Sequence, residues 1–253
     1  FVSWDESKAT RQSMQGVEKS IRMNICIIPA RGGSKRIHKK NIKFFLGKPI
    51  IAYSIETALN SKLFDKVIVS TDDENIAKVA KEYGAEVPFI RPEKLSDDFT
   101  STNCVVKHAI NWFLERDIEI NYVCCIYATA PFVKATYLRQ GLESLSDSNQ
   151  LFAFSVTSFP FPIQRAIKIN NGKISMFYPE HTLTRSQDLD EAYHDAGQFY
   201  WGRSQAFLDE IGMFSEDSIP VVLPRYLVQD IDTLEDWKRA ELMYKILKLK
   251  DLE

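Results

Sequence analysis

Hydrophobic positions along this chain switch between two periods, and the switching predicts a layered α/β fold. Ile25–Ile28 (ICII), Lys66–Ser70 (KVIVS) and Tyr122–Tyr127 (YVCCIY) are short, nearly continuous apolar runs. Such runs suit strands buried on both faces of a parallel sheet. Between them, apolar residues recur at helical spacing: Ile51, Ile55, Ala58 and Leu59 after Pro49, then Ile76, Val79, Ala80 and Tyr83 before Gly84, then Val105, Val106, Ala109, Ile110 and Phe113. Pro49 fits a first helical turn. Ser70 or Thr71 is placed to cap the second helix, with Asp72, Asp73 and Glu74 at its positive end. Glu86–Ile90 reads as a short third strand, and Thr136–Leu145 as a helix burying Leu138, Leu142 and Leu145. Alternation of this kind argues for a parallel sheet joined by right-handed crossovers.

The pattern changes after Leu151. Short β-like pieces, Leu151–Thr157, Arg165–Ile169 and Lys173–Phe177, are separated by Pro160, Pro162 and Asn170-Asn171-Gly172. Asn171-Gly172 is a hairpin signal, because both residues tolerate the positive φ that a tight turn needs. The stretch 159–194 is therefore expected to project from the sheet. Gln198–Trp201 and Ile219–Leu223 return to the core. A final helix starts near Thr233, where Thr233 and Asp236 form a box-like cap. Its apolar face is expected to hold Leu234, Trp237, Ala240, Met243, Tyr244 and Leu247.

Composition narrows the class without changing the fold. A chain of 253 residues with 45% hydrophobic and 26% charged residues is an ordinary globular mixture. Its net charge of −2 does not suit a nucleic-acid binder. No apolar run approaches the ~20 residues needed to span a bilayer, so no membrane partner is expected. Cys26, Cys104, Cys124 and Cys125 form no CxxC. They read as buried small hydrophobes in a reducing, cytoplasmic setting. Residues 1–22 lack a signal-peptide core and read as an extension with little structure of its own, followed by one domain over 23–253.

Charge is concentrated in one loop. Directly after the first strand, Pro29 and Gly32-Gly33 break regular pairing, and Arg31, Lys35, Arg36, Lys39, Lys40 and Lys43 follow with no acid among them. Backbone N–H groups of a glycine loop, flanked by Arg and Lys, can bind a polyphosphate. A solvated basic face and a nucleic-acid patch are the competing readings. The buried strand favours a phosphate pocket, since open α/β sheets bind ligands at strand carboxyl ends. The spacing is neither GxxxxGK[ST] nor GxGxxG. Asp230-Ile231-Asp232 is a second cluster. In an extended segment its two carboxylates share a face and can hold Mg²⁺ together with substrate phosphates. A charged turn before a helix is the bland alternative.

The string IPARGGSKRIHKKN (28–41) resembles the opening motif of the sialic-acid-type cytidylyltransferases, which usually carry Pro where this chain has His38. The resemblance extends over nearly all of Met23–Lys248. It implies a nucleotide-diphospho-sugar transferase (Rossmann-like) fold: a mostly parallel mixed sheet with helices on both faces and a projecting dimerisation insertion. It also implies that CTP is held by Ala30, Arg31, Gly32, Ser34, Lys35, Lys40 and Asn41, with Arg31 and Lys40 catalytic. Arg91, Thr100 and Thr102 fall on positions that contact cytosine. QDIDTLED (229–236) matches the magnesium-binding DxD, making Asp230 and Asp232 the implied metal ligands. Where sialic acid enzymes read LQPTSP, this chain has YATAP (127–131), a form similar to the pseudaminic acid branch. Tyr127, Thr129, Arg185 and Gln198 are the implied sugar contacts. The implied acceptor is a nine-carbon 2-keto sugar acid. The implied assembly is a homodimer in which Arg165, Lys168 and Arg185 approach the neighbour's site. Siblings acting on N-acetylneuraminate or legionaminate, a DxD glycosyltransferase and a silent nucleotide-binding protein remain alternatives. His194-Asp195 is not expected to be a catalytic dyad, because adjacent strand residues face opposite ways.

Overall fold

A computed structural model describes residues 22–249 of the chain. Of the expected extension at residues 1–22, residues 1–21 lie outside the described residues. β1 (Met23–Pro29) leads into the basic loop and a small ladder of β2 (Phe44–Phe45) and β3 (Lys48–Pro49). Then come α1 (Ile50–Ser61), β4 (Lys66–Ser70), α2 (Glu74–Glu82), α3 (Thr102–Leu114), β5 (Ile120–Ile126), α4 (Ala135–Ser146) and β6 (Phe152–Ser158). An excursion carries the hairpin β7 (Ile167–Asn170) and β8 (Lys173–Met176). The chain returns through β9 (Tyr193–Arg203), α5 (Ser204–Leu208), β10 (Ser218–Val222) and α6 (Leu234–Leu249).

Six strands form one sheet in the order β10-β6-β9-β5-β1-β4. β1 pairs in parallel with β4 and β5, and β10 in parallel with β6, while β9 runs antiparallel between β5 and β6. The mixed, mostly parallel sheet is thus the expected one. Ile25, Cys26, Ile27 and Ile28 are all fully buried, as a run covered by helices on both sides must be.

Three local expectations differ from the structure. The segment 86–90 makes only a single bridge, Ile68 to Glu86. Pro88, which has no N–H to give a ladder, ends it. Helix α2 is capped by Asp73, whose Oδ1 accepts from the N–H groups of Asn75 (2.7 Å) and Ile76 (3.1 Å). Ser70 is the last residue of β4, in register with Pro29, and Thr71 Oγ1 instead accepts from the Asp73 N–H at 3.1 Å. Leu234 is exposed rather than part of the α6 apolar face. The Thr233–Asp236 cap forms as expected: Asp236 N–H donates to Thr233 Oγ1 (3.2 Å), and Thr233 N–H to Asp236 Oδ2 (2.8 Å).

A separate apolar cluster joins the two ends of the domain. Ile37 from the basic loop, Phe45, Ile50 and Tyr53 pack with Leu227, Ile231 and Trp237. Phe45 lies edge-on to Tyr53 and Trp237, with ring centroids 5.5 and 5.6 Å away. Burying Ile37 and Ile231 side chains contributes roughly 1.5–3 kcal/mol each before entropy is counted. Because Ile231 points into this cluster, the flanking Asp232 is turned the other way, onto Arg36 and Lys40 of the basic loop, while Asp230 is exposed.

Candidate active site

The carboxyl ends of β1 and β5 open onto a cavity of about 300 Å³. Arg31, Ser34, Lys35, Lys40 and Asn41 form one wall; Arg91, Thr100, Thr102 and Tyr127 form the other. Most of the expected site residues therefore meet in one place. Asn41 is buried, and its Nδ2 donates to Arg31 O at 2.9 Å, which fixes the loop's curvature. Gly32 presses against α2: a Cβ there would come within 2.8 Å of Asp73 Oδ2. Its N–H donates to Asp72 Oδ1 (2.9 Å), so that group is already engaged. Ala30 sits behind the wall, its N–H on Ser70 O at 2.9 Å.

The loop cations are held by two carboxylates from distant segments. Arg31 pairs with Asp98 at 2.5 Å, and Lys35 with the other Asp98 oxygen. Arg36 lies 2.8 Å and Lys40 3.4 Å from Asp232 Oδ1. Lys40 Nζ also donates to Ile231 O at 2.7 Å. Hydrogen bonds from Lys35 and Arg31 hold the Asp98 carboxyl below the usual carboxylate range, so it stays charged. Asp98 thus sits where an anionic ligand of Arg31 and Lys35 must go. Asp98→Asn is expected to tighten nucleoside triphosphate binding several-fold by titration calorimetry. Unchanged or weaker binding would show that Asp98 does not compete.

Arg91 is only 4% exposed, with Nε and one terminal nitrogen lacking a hydrogen-bond partner. Burial lowers its pKa, and Asp72, 3.8 Å away, offsets part of that effect. An arginine held in a cavity wall with spare N–H groups suits a ligand with acceptor atoms, such as a pyrimidine edge. Asp72 serves both this arginine and Gly32. Sequence reasoning gave Asp72 only a helix-end role and Asp98 none; no local pattern marks either, since both roles depend on tertiary proximity.

Asp230 and Asp232 supply a donor set that fits a divalent oxygen-seeking ion. Burial raises the Asp230 pKa and the charge of Asp232 raises it further, a cost that a bound cation would relieve. Among the described residues no three His, Cys, Asp or Glu side chains cluster as a metal site. Two carboxylates suffice for Mg²⁺ when substrate phosphates complete its shell.

Thr129, Arg185 and Gln198 do not line the cavity. Gln198 is buried and its Nε2 donates to Leu227 O at 2.5 Å, bracing the segment that leads to Asp230. Arg185 lies on the excursion, its guanidinium on Asp188 at 2.7 and 3.0 Å. His194 Nδ1 meets Asp195 O, and no His194–Asp195 side-chain dyad forms.

The family model described as "Cytidylyltransferase" matches residues 25–216. This chain belongs to the cytidylyltransferase family. As such it is 51% identical over 224 residues to a pseudaminic acid cytidylyltransferase of Campylobacter jejuni, spanning 88% of this chain and 97% of that one. It is 30% identical over 231 residues to a CMP-N,N'-diacetyllegionaminic acid synthase of Legionella pneumophila, covering 88% and 96%. Among solved structures, the cytidylyltransferase fold here matches a CMP:2-keto-3-deoxy-manno-octonic acid synthetase with a TM-score of 0.63 at 16% identity, over 88% and 98% of the two chains. Among the described residues, no helix of this cytidylyltransferase is long and apolar enough to cross a membrane.

Proposed function

We propose that the protein transfers CMP from CTP to the anomeric hydroxyl of pseudaminic acid, giving CMP-pseudaminate and pyrophosphate. The observation that carries this reading is the 51% identity over 224 residues with a pseudaminic acid cytidylyltransferase. The cavity supports it chemically. Arg31, Lys35 and Lys40 can neutralise a triphosphate, while Arg91, Thr100 and Thr102 offer donors and hydroxyls to a base edge.

In the reaction the sugar hydroxyl attacks the α-phosphorus, the bond to the β-phosphate oxygen breaks and pyrophosphate departs. Such transfer needs alignment and stabilisation of developing charge rather than covalent help from the protein. Arg31 and Lys40 would hold the oxygens that gain negative charge, and Lys35 the departing pyrophosphate. Asp230 and Asp232 would hold Mg²⁺, which would supply positive charge to offset the negative charge that develops on the phosphate. The direct test offers the purified protein CTP, Mg²⁺ and a panel of nonulosonic acids, and follows pyrophosphate release. Pseudaminic acid should give the highest kcat/KM. Preference for N-acetylneuraminate or a legionaminic acid, or no release with any acid, would refute this assignment. Free thiols at Cys26, Cys104, Cys124 and Cys125 support a cytoplasmic enzyme.

We further propose a homodimer built on the excursion. In the β7–β8 hairpin, Ile167 faces Met176 and Ile169 faces Ile174, so one face is apolar while Lys168, Asn170, Lys173 and Ser175 occupy the other. Ile169 is 69% and Ile174 68% exposed. A two-stranded ribbon with an uncovered apolar face is marginal by itself and gains stability by docking. Docking on a second copy would bring Arg165, Lys168 and Arg185 toward its cavity. Ile169→Glu with Ile174→Glu is expected to halve the molar mass in light scattering. A wild-type protein that is already monomeric, or a variant that keeps the dimer mass, would refute it.

A further inference from the structure

A second cavity, of about 310 Å³, opens on the same rim of the sheet as the first. It is lined by Thr157 and Ser158 at the end of β6, by His194, which lies opposite Thr157 on β9, and by Arg225, Gln229 and Arg239. β9 runs antiparallel to both β5 and β6, so those two strands point the same way and both cavities lie at carboxyl ends. The aspartate segment links them. Gln229, in the second cavity, directly precedes Asp230, while Asp232 pairs with Arg36 and Lys40 of the first. Arg239 extends the link: it lies 3.6 Å from Asp236, whose Oδ2 accepts from the Asp232 N–H at 3.2 Å. A ligand in the second cavity and a triphosphate in the first would therefore meet at the same pair of carboxylates.

The lining offers both donors and acceptors. Arg225 Nη1 donates to Phe159 O at a long 3.4 Å, and Arg239 has its 3.6 Å pair with Asp236. Each guanidinium carries five N–H donors in a planar fork, so two such long contacts leave capacity for a carboxylate. The other two polar side chains need a donor. Asp195 O can only accept, so His194 Nδ1 carries the proton that meets it at 2.8 Å, and Nε2 of the neutral ring is an acceptor. Gln229 Oε1 is buried with no hydrogen-bond partner, a costly state that a turn of the amide onto a ligand O–H or N–H would relieve. Two guanidiniums beside two acceptors suit a molecule that carries a carboxylate together with hydroxyl or amide donors. Pyrophosphate, rich in acceptor oxygens, suits the guanidiniums alone.

We propose that this second cavity receives the sugar acid, with Arg225 and Arg239 holding its carboxylate and Gln229 and His194 accepting from its hydroxyl or amide groups. This rests on the sugar-acid reading above and deepens it.

The test uses Arg225→Gln and Arg239→Gln. KM is measured separately for CTP and for the sugar acid by pyrophosphate release, and the acid is titrated calorimetrically into protein holding Mg²⁺ and CMP. Both arginines are exposed, so the melting temperature should stay near that of the wild type. Each change should raise the KM and dissociation constant of the acid about tenfold, the scale of a lost hydrogen bond to a charged group, and leave the CTP KM unchanged. The methyl ester of the acid isolates the carboxylate. The wild type should bind the ester at least about tenfold more weakly than the acid, and the variants should lose nothing further. An unchanged constant for the acid in either variant, a rise confined to CTP, weakened pyrophosphate inhibition in its place, or an ester bound still more weakly by the variants would each overturn the proposal. The arms use the acid of the panel that is turned over or, where none is, the one that binds most tightly. Binding without turnover sinks the proposed function alone, and a different preferred acid sinks the pseudaminate assignment. Unaffected variants sink only the role of this cavity, and an absence of binding by any acid overturns both.

Discussion

Arg31→Ala is expected to cut kcat for pyrophosphate release by about 10²–10³, the usual cost of deleting one preorganised charge at a developing anion. Arg31 is where the basic loop leaves β1, and its side chain reaches the cavity while Asn41 holds its carbonyl. The anchor uses main-chain oxygen, so the truncated loop keeps its shape and the melting temperature should stay near that of the wild type. The loss belongs to kcat more than to the KM for CTP, since Lys35 and Lys40 still attract the triphosphate. Arg31→Lys should recover only part of the rate, because a lysine keeps the charge but not the planar fork that meets two oxygens at once. An alanine variant with kcat within threefold of wild type would remove Arg31 from the transition state.

The loss should differ in kind at Asp98. Arg31 is half-exposed and already paired with Asp98 in the free protein. In the proposed mechanism this cation is stored in an ion pair that CTP would displace. Storage costs little in stability, as exposed pairs contribute ~0–1 kcal/mol. It keeps the loop cations from repelling one another before substrate arrives.

Much of this arrangement was legible in the sequence, because it rests on local signals. β1, β4 and β5 announced themselves as apolar runs, and a buried run ending in a basic glycine loop has few other uses. Asn171-Gly172 specified its turn by φ alone, and the structure puts both residues at positive φ. Asp230 and Asp232 were visible as a pair, yet what aims Asp232 is Ile231 buried beside Ile37, a contact between positions far apart in the chain. Tertiary pairing explains what was missed. Gln198 looks like a substrate residue in a string of polar and aromatic neighbours, but β9 turns it inward onto Leu227 O. Asp98 looks like one acid in a polar loop until the fold sets it against Arg31 and Lys35. Leu234 fits the α6 stripe by period, but it lies in the first turn, beyond the reach of the core.

Asp232→Ala should be as damaging as Arg31→Ala, by about 10²–10³ in kcat, and for a different reason. Asp232 sits where α6 begins, its N–H on Asp236 Oδ2 at 3.2 Å, and it faces Arg36 and Lys40. Its removal deletes half of the carboxylate pair and also frees two cations. Lys40 retains Ile231 O, and the Thr233–Asp236 cap is untouched, so the helix and the fold should survive. The discriminating measurement is the Mg²⁺ dependence. Chelation should stop wild-type turnover, and added Mg²⁺ should restore it. Asp232→Ala and Asp230→Ala should each need far more Mg²⁺ for half-maximal rate, whereas Arg31→Ala should keep the wild-type requirement. Asp232→Asn separates charge from shape: the amide fills the same space but offers the metal a weaker ligand, so it should behave like alanine. If Asp232→Asn retained the wild-type rate and Mg²⁺ requirement, the carboxylate would be only a counter-ion for Arg36 and Lys40, and the aspartate pair would not be the metal site.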